Sequence, residues 1–288
     1  MKIDKQNGAV CFNEKEHTYW NENDNGKYIS VTTLIERFAQ PFDKDFWSAY
    51  KALEKLIPKD NWKIEKSSLL NSHKFNKEIL DVYNITENEF NKVQQDILDE
   101  WDKTNRDSCE RGTAIHARLE NSMYKMGGNV TLNKFGIGGK FVCVKGKTNL
   151  DLDNGVYPEY LISRDSPDNI LKLAGQIDLL VKNGNEISIV DWKTNKEIKQ
   201  HSGFDTKTRQ TAKMKYPLSN LEDCNFMHYT LQLSTYAWMV QKLNPNFFIK
   251  DLILVHFDHE DNQTVYHINY LKDEVEKMLR WYKRELIV

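Results

Sequence analysis

The chain of 288 residues, 40% hydrophobic and 11% aromatic, is long enough to bury a sizeable core and has no run near the roughly 20 apolar residues of a membrane-spanning helix. Met1-Lys2-Ile3-Asp4-Lys5-Gln6 lacks the apolar core of a signal peptide, so a cytoplasmic protein with no membrane partner is expected. A net charge of −2 excludes a uniformly basic nucleic-acid coat and leaves the distribution of charge to decide what binds.

The first elements are a hairpin, His17-Thr18-Tyr19-Trp20 and Lys27-Tyr28-Ile29, around Asp24-Asn25-Gly26, running into a helix. Ser30 or Thr32 caps that helix, and its free backbone N–H groups favour an anion such as phosphate. Phe42, Phe46, Trp47 and Tyr50 follow at helical spacing, which suits either a core face or stacking on unpaired bases. Residues 58–100 are polar with broadly helical apolar spacing and read as a helical insertion. A helix is expected from about Asp107, with Asp107 or Ser108 as N-cap and Gly127-Gly128 as its stop. His116 and Glu120 share one of its faces with Gly112, where a missing side chain permits close approach to a sheet. The glycine-rich stretch Gly136–Lys140 lacks the spacing of a phosphate-binding P-loop.

Val156–Ile162 reads as a strand carrying Glu159, and Gly175-Gln176-Ile177-Asp178-Leu179-Leu180 as the next. Asn183-Gly184-Asn185 then supplies hairpin chemistry before Ile187–Lys193. Residues two apart in a strand share a face, so Asp191 and Lys193 emerge side by side, with Asp178 able to face them from the neighbouring strand. Two carboxylates and an amine on one sheet surface suit a divalent Mg²⁺ or Mn²⁺ ion beside a water that the lysine positions or deprotonates, which is phosphodiester chemistry. From Lys193 to Lys215, Lys196, Lys199, Lys207, Arg209, Lys213 and Lys215 outnumber the acids, with Thr206, Thr208 and Thr211 among them. This segment is either a solvated loop or a lining for phosphates, and its place after the active strand favours DNA contact. Leu231, Gln232, Thr235, Tyr236 and Met239 follow a three-four rhythm that turns Gln232 and Tyr236 inward. Strands at Phe248–Asp258 and Thr264–Asn269 and an amphipathic helix at Asp273–Leu286 complete an α/β fold, a central mixed β-sheet flanked by helices with an N-terminal helical elaboration.

Asp178 with Asp191-Trp192-Lys193 resembles the PD-(D/E)XK nuclease signature in its RecB-like exonuclease form. The helix Arg111–Glu120 resembles the one that carries a metal-binding histidine in that branch, and Tyr229–Tyr236 resembles its Q-x-x-x-Y helix. The blocks stand in the family's order. The resemblance implies a restriction-endonuclease-like core over residues 106–288, with residues 1–105 as an N-terminal hairpin and helical region packed on it. It implies His116, Asp178, Asp191 and the Trp192 backbone carbonyl as ligands of Mg²⁺ or Mn²⁺, and Lys193 as the group that orients or activates water. Gln232 and Tyr236 would support the site, with Glu120 and Glu159 as candidates for the surrounding shell. Segments like Ser30-Val31-Thr32 also occur near the start of such nucleases.

The expected activity is therefore a metal-dependent DNA exonuclease acting on single strands or duplex ends in recombination, repair or processing, as such stand-alone chains do in phages and mobile elements. A structure- or sequence-specific endonuclease on the same fold and a non-catalytic nucleic-acid-binding protein are the rivals. No helicase motor is visible, so any unwinding would come from a helicase or recombinase partner. Some relatives carry an iron–sulfur cluster, but Cys11, Cys109, Cys143 and Cys224 lack the closely spaced downstream set, so no cluster is expected.

Overall fold

The computed structural model describes residues 3, 5–144, 150–205 and 210–287. The elements in chain order are β1 (Lys5–Asn7), β2 (Val10–Asn13), β3 (Thr18–Asn21), β4 (Lys27–Ser30), α1 (Val31–Glu36), α2 (Lys44–Leu56), α3 (Lys59–Ser72), α4 (Glu78–Val82) and α5 (Glu87–Met126). There follow β5 (Val130–Leu132), β6 (Ile137–Phe141), β7 (Gly155–Asp165), β8 (Lys172–Asn183), β9 (Glu186–Lys193), the short pair β10 (Phe204–Asp205) and β11 (Gln210–Thr211), α6 (Asn225–Leu243), β12 (Phe248–Phe257), β13 (Gln263–His267) and α7 (Lys272–Glu285). Among the described residues, no helix is long and apolar enough to cross a membrane.

The chain forms two compact units, one of residues 1–40 with 112–288 and one of residues 41–111. The sequence suggested a division near residue 105 with the N-terminal hairpin on the far side. The hairpin instead joins the main sheet, because β4 pairs in parallel with β8 through Ile29↔Leu173 and Ser30↔Ala174. The second unit has its own core of Phe46, Tyr50, Leu53, Trp62, Leu69, Leu80, Phe90 and Ile97. Phe46 and Tyr50 are thus core residues, while Phe42 is exposed.

The expected helix start at Asp107 or Ser108 is corrected. The helix runs unbroken for 40 residues from Glu87. Its N-terminus is a capping box: Glu89 N–H donates to Thr86 Oγ1 (3.2 Å), and Thr86 N–H donates to Glu89 Oε2 (3.0 Å). No proline or glycine interrupts it before Gly112, so nothing ends it at 107. Gly127, at φ 57°, stops it as expected.

Among the described residues, a nine-stranded sheet runs β1-β2-β3-β4-β8-β9-β12-β13, with β7 also on β8. One apolar layer gathers α1, α6 and α7 over Leu173, Ile177, Leu180, Ile187 and Ile189. The other places Ile115 and Met123 of α5 and the β5–β6 hairpin against Val156, Leu179, Val190, Trp192 and Val255. β7 pairs antiparallel along one edge of β8 from Lys172 to Lys182, with the Glu159/Asp178 rung left unpaired in the ladder. The other edge is shared by two strands: β4 takes Leu173 and Ala174, and β9 takes Leu179 to Asn183. Between them, among the described residues, Gly175 to Asp178 have no strand on that side, and the sheet opens.

Two local features sit at the opening. Glu159, opposite Asp178 in register, has φ 51°, the left-handed region that a non-glycine residue enters only under constraint. Tyr157 and Tyr160, three residues apart, pack into the same layer, as do their partners Leu180 and Ile177, so the ladder inverts its faces at this rung without losing register. Gly175 lies against α6, where a Cβ would stand 2.6 Å from the Tyr236 ring. Gly175→Ala is therefore expected to destabilise the protein by about 1–3 kcal/mol through overpacking. Urea unfolding would read the loss, and Gly175→Ala combined with Tyr236→Leu should recover much of it.

Candidate active site

The opening in the sheet is the floor of a cavity of about 710 Å³. It is lined by His116 and Glu120 of α5, Glu159 of β7, Gly175, Gln176 and Asp178 of β8, Lys193 of β9, and Gln232 and Tyr236 of α6. Ser30 and Thr32 line it from the start of α1, and Lys5, Phe12, His17 and Tyr19 from the N-terminal strands.

At its centre, one ligand atom each from His116, Glu159 and Asp178 lie within 4.8 Å of one another. His116 Nδ1 is 3.2 Å from Glu159 Oε1 and 3.6 Å from Asp178 Oδ1. The other Glu159 oxygen accepts from Gln176 Nε2 in a short contact, and Asp178 Oδ2 accepts from the Trp192 backbone N–H at 2.7 Å. Each carboxylate therefore has one oxygen anchored and one turned to the histidine. The left-handed backbone at Glu159 belongs to this arrangement and could not be read from the sequence.

Asp191 stands beside this group. On β9, the row Ile187, Ile189, Asp191, Lys193 passes from core to cavity on one face, while Trp192 packs in the opposite layer. Asp191 Oδ1 accepts from Gln232 Nε2 (3.2 Å), and Lys193 Nζ lies 2.7 Å from Asp191 Oδ2. Gln232 Nε2 also reaches Tyr236 Oη at 3.4 Å, so the Gln/Tyr helix braces Asp191. Lys193 is seated over the Tyr229 ring, 4.7 Å from its centroid, and Tyr229 Oη donates to Asn195 Oδ1 at 2.6 Å. Gly112 brings α5 close to Thr194, just beyond the lysine, where a Cβ would stand 3.3 Å from Oγ1.

Of the other expected residues, Ser30 caps α1 by accepting from Thr33 N–H (3.0 Å) and contacts Thr32 Oγ1. Lys196, Lys199 and Lys213 are exposed and do not line the cavity. Lys199 pairs with Glu197 at 3.2 Å. Lys207 and Arg209 lie outside the described residues. The cysteines are dispersed: Cys11 in β2, Cys109 in α5, Cys143 after β6 and Cys224 at the start of α6. Sequence reasoning missed Lys5, Tyr19 and Gln176. Gln176 carried a signal, since it is two residues from Asp178 and so shares its face, but Lys5 and Tyr19 carried none.

The electrostatics fit a cation. Burial drives the Asp178 carboxyl upward, only partly offset by His116, and drives Asp191 up to about 6 against the pull of Lys193. Burial would lower His116, but Asp178 and Glu159 outweigh it and raise its pKa to about 9. The metal-free site therefore holds protons that a divalent ion would displace, and an imidazole with two carboxylates is a donor set for such an ion. Each of these groups has a raised pKa in the folded state. Their contribution to stability is present below the ordinary values and is lost as pH rises through about 6 for Asp191 and about 9 for His116. In EDTA, the melting temperature should fall between pH 6 and pH 9, and Mg²⁺ or Mn²⁺ should restore more of it at pH 9. Asp178→Asn should raise the EDTA melting temperature by a few degrees and abolish the metal-induced shift.

No curated protein matches the sequence. Among solved structures, the chain is similar to a protein named SSO0001, at 19% identity over 46% of this chain and 49% of that one, with a TM-score of 0.29. It therefore spans about half the length of that protein. It is also similar to a provisionally named exonuclease from Eubacterium rectale, at 12% identity over 90% of this chain and 80% of that one, with a TM-score of 0.34. A family model described as the PD-(D/E)XK nuclease superfamily matches residues 134–287, more than half of the chain. That span holds Glu159, Asp178, Asp191, Lys193, Gln232 and Tyr236, and the chain belongs to the PD-(D/E)XK nuclease superfamily.

Proposed function

We propose that this protein is a divalent-metal-dependent DNA exonuclease of the RecB-like kind, working with Mg²⁺ or Mn²⁺ in DNA recombination, repair or processing. The observation that carries the reading is the convergence of His116, Glu159 and Asp178 in one cavity with Lys193, whose ammonium is paired to the buried Asp191, in a chain of a nuclease superfamily. His116, Glu159 and Asp178 would hold the metal. Asp191, held by Lys193 and Gln232, is a further candidate ligand, and the Trp192 carbonyl is another beside it. A bound cation supplies Lewis-acid stabilisation of the charge that builds on the phosphoryl oxygens.

The protein's own groups do the rest. Asp191 and Asp178 outweigh burial and keep Lys193 an ammonium, so it acts as a hydrogen-bond donor that orients the attacking water or a phosphate oxygen. Gln232 and Tyr236 hold Asp191 so that the lysine keeps its aim. Glu120, half-buried on the cavity wall, has its carboxyl raised by burial and takes protons more readily than an exposed glutamate. The preference for ends rests on the resemblance of Asp178, Asp191-Trp192-Lys193 and the Gln232/Tyr236 helix to the RecB-like exonuclease form of the family.

End-labelled single- and double-stranded DNA and closed circles, incubated with Mg²⁺, Mn²⁺ or EDTA, would test this. Linear DNA should be degraded only with metal while circles survive, and Lys193→Ala should slow degradation by about 100-fold or more. Cutting of circles would transfer the reading to an endonuclease. Binding without cleavage under every metal condition would leave a nucleic-acid-binding protein.

A further inference from the structure

The N-terminal strands lie outside the span that matches the nuclease superfamily, yet they wall the cavity. Lys5 pairs with Phe12 across β1 and β2, Phe12 with Tyr19 across β2 and β3, and Tyr19 with Tyr28 across β3 and β4. Directly opposed residues of antiparallel strands share a face, so this single row puts Lys5, Phe12 and Tyr19 on one surface, and all three line the cavity. Phe12 stacks on Tyr19 with centroids 4.4 Å apart and fixes its ring, and Tyr19 is only 4% exposed.

The Lys5 end of the row meets the acidic cluster, and Tyr19 lines the same cavity. Lys5 Nζ is 3.5 Å from Glu159 Oε2 and 3.3 Å from Glu14 Oε1. These are long for charge-assisted pairs, whereas Lys193 grips Asp191 at 2.7 Å. Lys5 is therefore held near the cluster without being locked to it, and its ammonium has three donors to share. Tyr19 lines the same cavity with its ring stacked on Phe12, and its hydroxyl is a hydrogen-bond donor there. A phosphodiester entering among Glu14, Glu120, Glu159 and Asp178 meets carboxylates that repel it. Lys193 offers a donor from the Asp191 side, and the Glu159 side is served by Lys5 and Tyr19.

We propose that Lys5 and Tyr19 bind a phosphate of the nucleic-acid strand in the cavity, so that the N-terminal meander forms the second half of the substrate site. This rests on the reading of the cavity as a phosphodiester-binding site. Lys5 supplies the counter-charge, and Tyr19 supplies a hydrogen bond fixed in direction by its stack on Phe12.

The test measures binding apart from cleavage. In a Lys193→Ala background with Mg²⁺, the affinity for a fluorescent single-stranded oligonucleotide is followed by anisotropy over a range of salt. Adding Lys5→Ala or Tyr19→Phe should weaken binding about tenfold each. Lys5→Ala should also flatten the slope of log affinity against log salt by about 0.7, Lys5→Arg should restore it, and Tyr19→Phe should leave it unchanged. Tyr19→Phe keeps the ring stack, so an unaltered melting temperature assigns its loss to the hydroxyl. Unchanged affinity and slope in both variants would overturn the inference, even if the Lys193-containing protein degrades DNA. If that protein degrades nothing with any metal while the binding losses are seen, the nuclease reading fails and the phosphate contact stands.

Discussion

Strand β8 has one edge and two neighbours competing for it. A strand can offer its backbone groups only once on each side, and β7 takes one side from Lys172 to Lys182 except at the Glu159/Asp178 rung. β4 runs parallel to β8 and β9 runs antiparallel, and neither can extend into the other's stretch. The four residues left between them, Gly175 to Asp178, are the place where the sheet must part. What fills the gap is side chain: Tyr236 packs on Gly175 from one helix, and the second carboxylate oxygen of Asp178 takes the N–H of Trp192. The site is thus the space left by an incomplete ladder, and its groups are close because the strands that carry them could not pair there.

Confining the acids in that space conflicts with stability. Asp178 and Asp191 are almost entirely out of water, and burial disfavours their charged forms. Without a metal, the conflict is eased by His116 and Lys193, which respond to the same acids by holding their protons more tightly. Apolar residues in the same places would make a more stable sheet. Buried charges kept at that cost mark a functional site in a chain of a nuclease superfamily.

Much of this was legible in the sequence. The alternation Ile187, Ile189, Asp191, Lys193 fixed both the strand and the shared face of the last two residues, and the four-residue spacing of Gln232 and Tyr236 fixed their shared helix face. The capping box Thr86-Glu87-Asn88-Glu89 was equally open to reading and marks the true start of α5. What could not be read was long-range. The φ of Glu159 depends on its partners across the sheet, which brings Glu159 rather than Asp191 into the closest group with His116. The membership of Lys5 and Tyr19 depends on β4 pairing with β8, some 140 residues away in sequence.

The face inversion at Glu159 and Asp178 also bears on how such a sheet can vary over evolutionary time. Both strands turn over at the same rung, so an inserted or deleted residue in either would separate the two reversals and send apolar side chains to the wet face on one of them. A change of length between the two acids that kept both reversals in step would have to fall in the turn joining β7 to β8, residues 166–171. Glu159 and Asp178, though 19 positions apart, would be inherited as a single unit, gained or lost together.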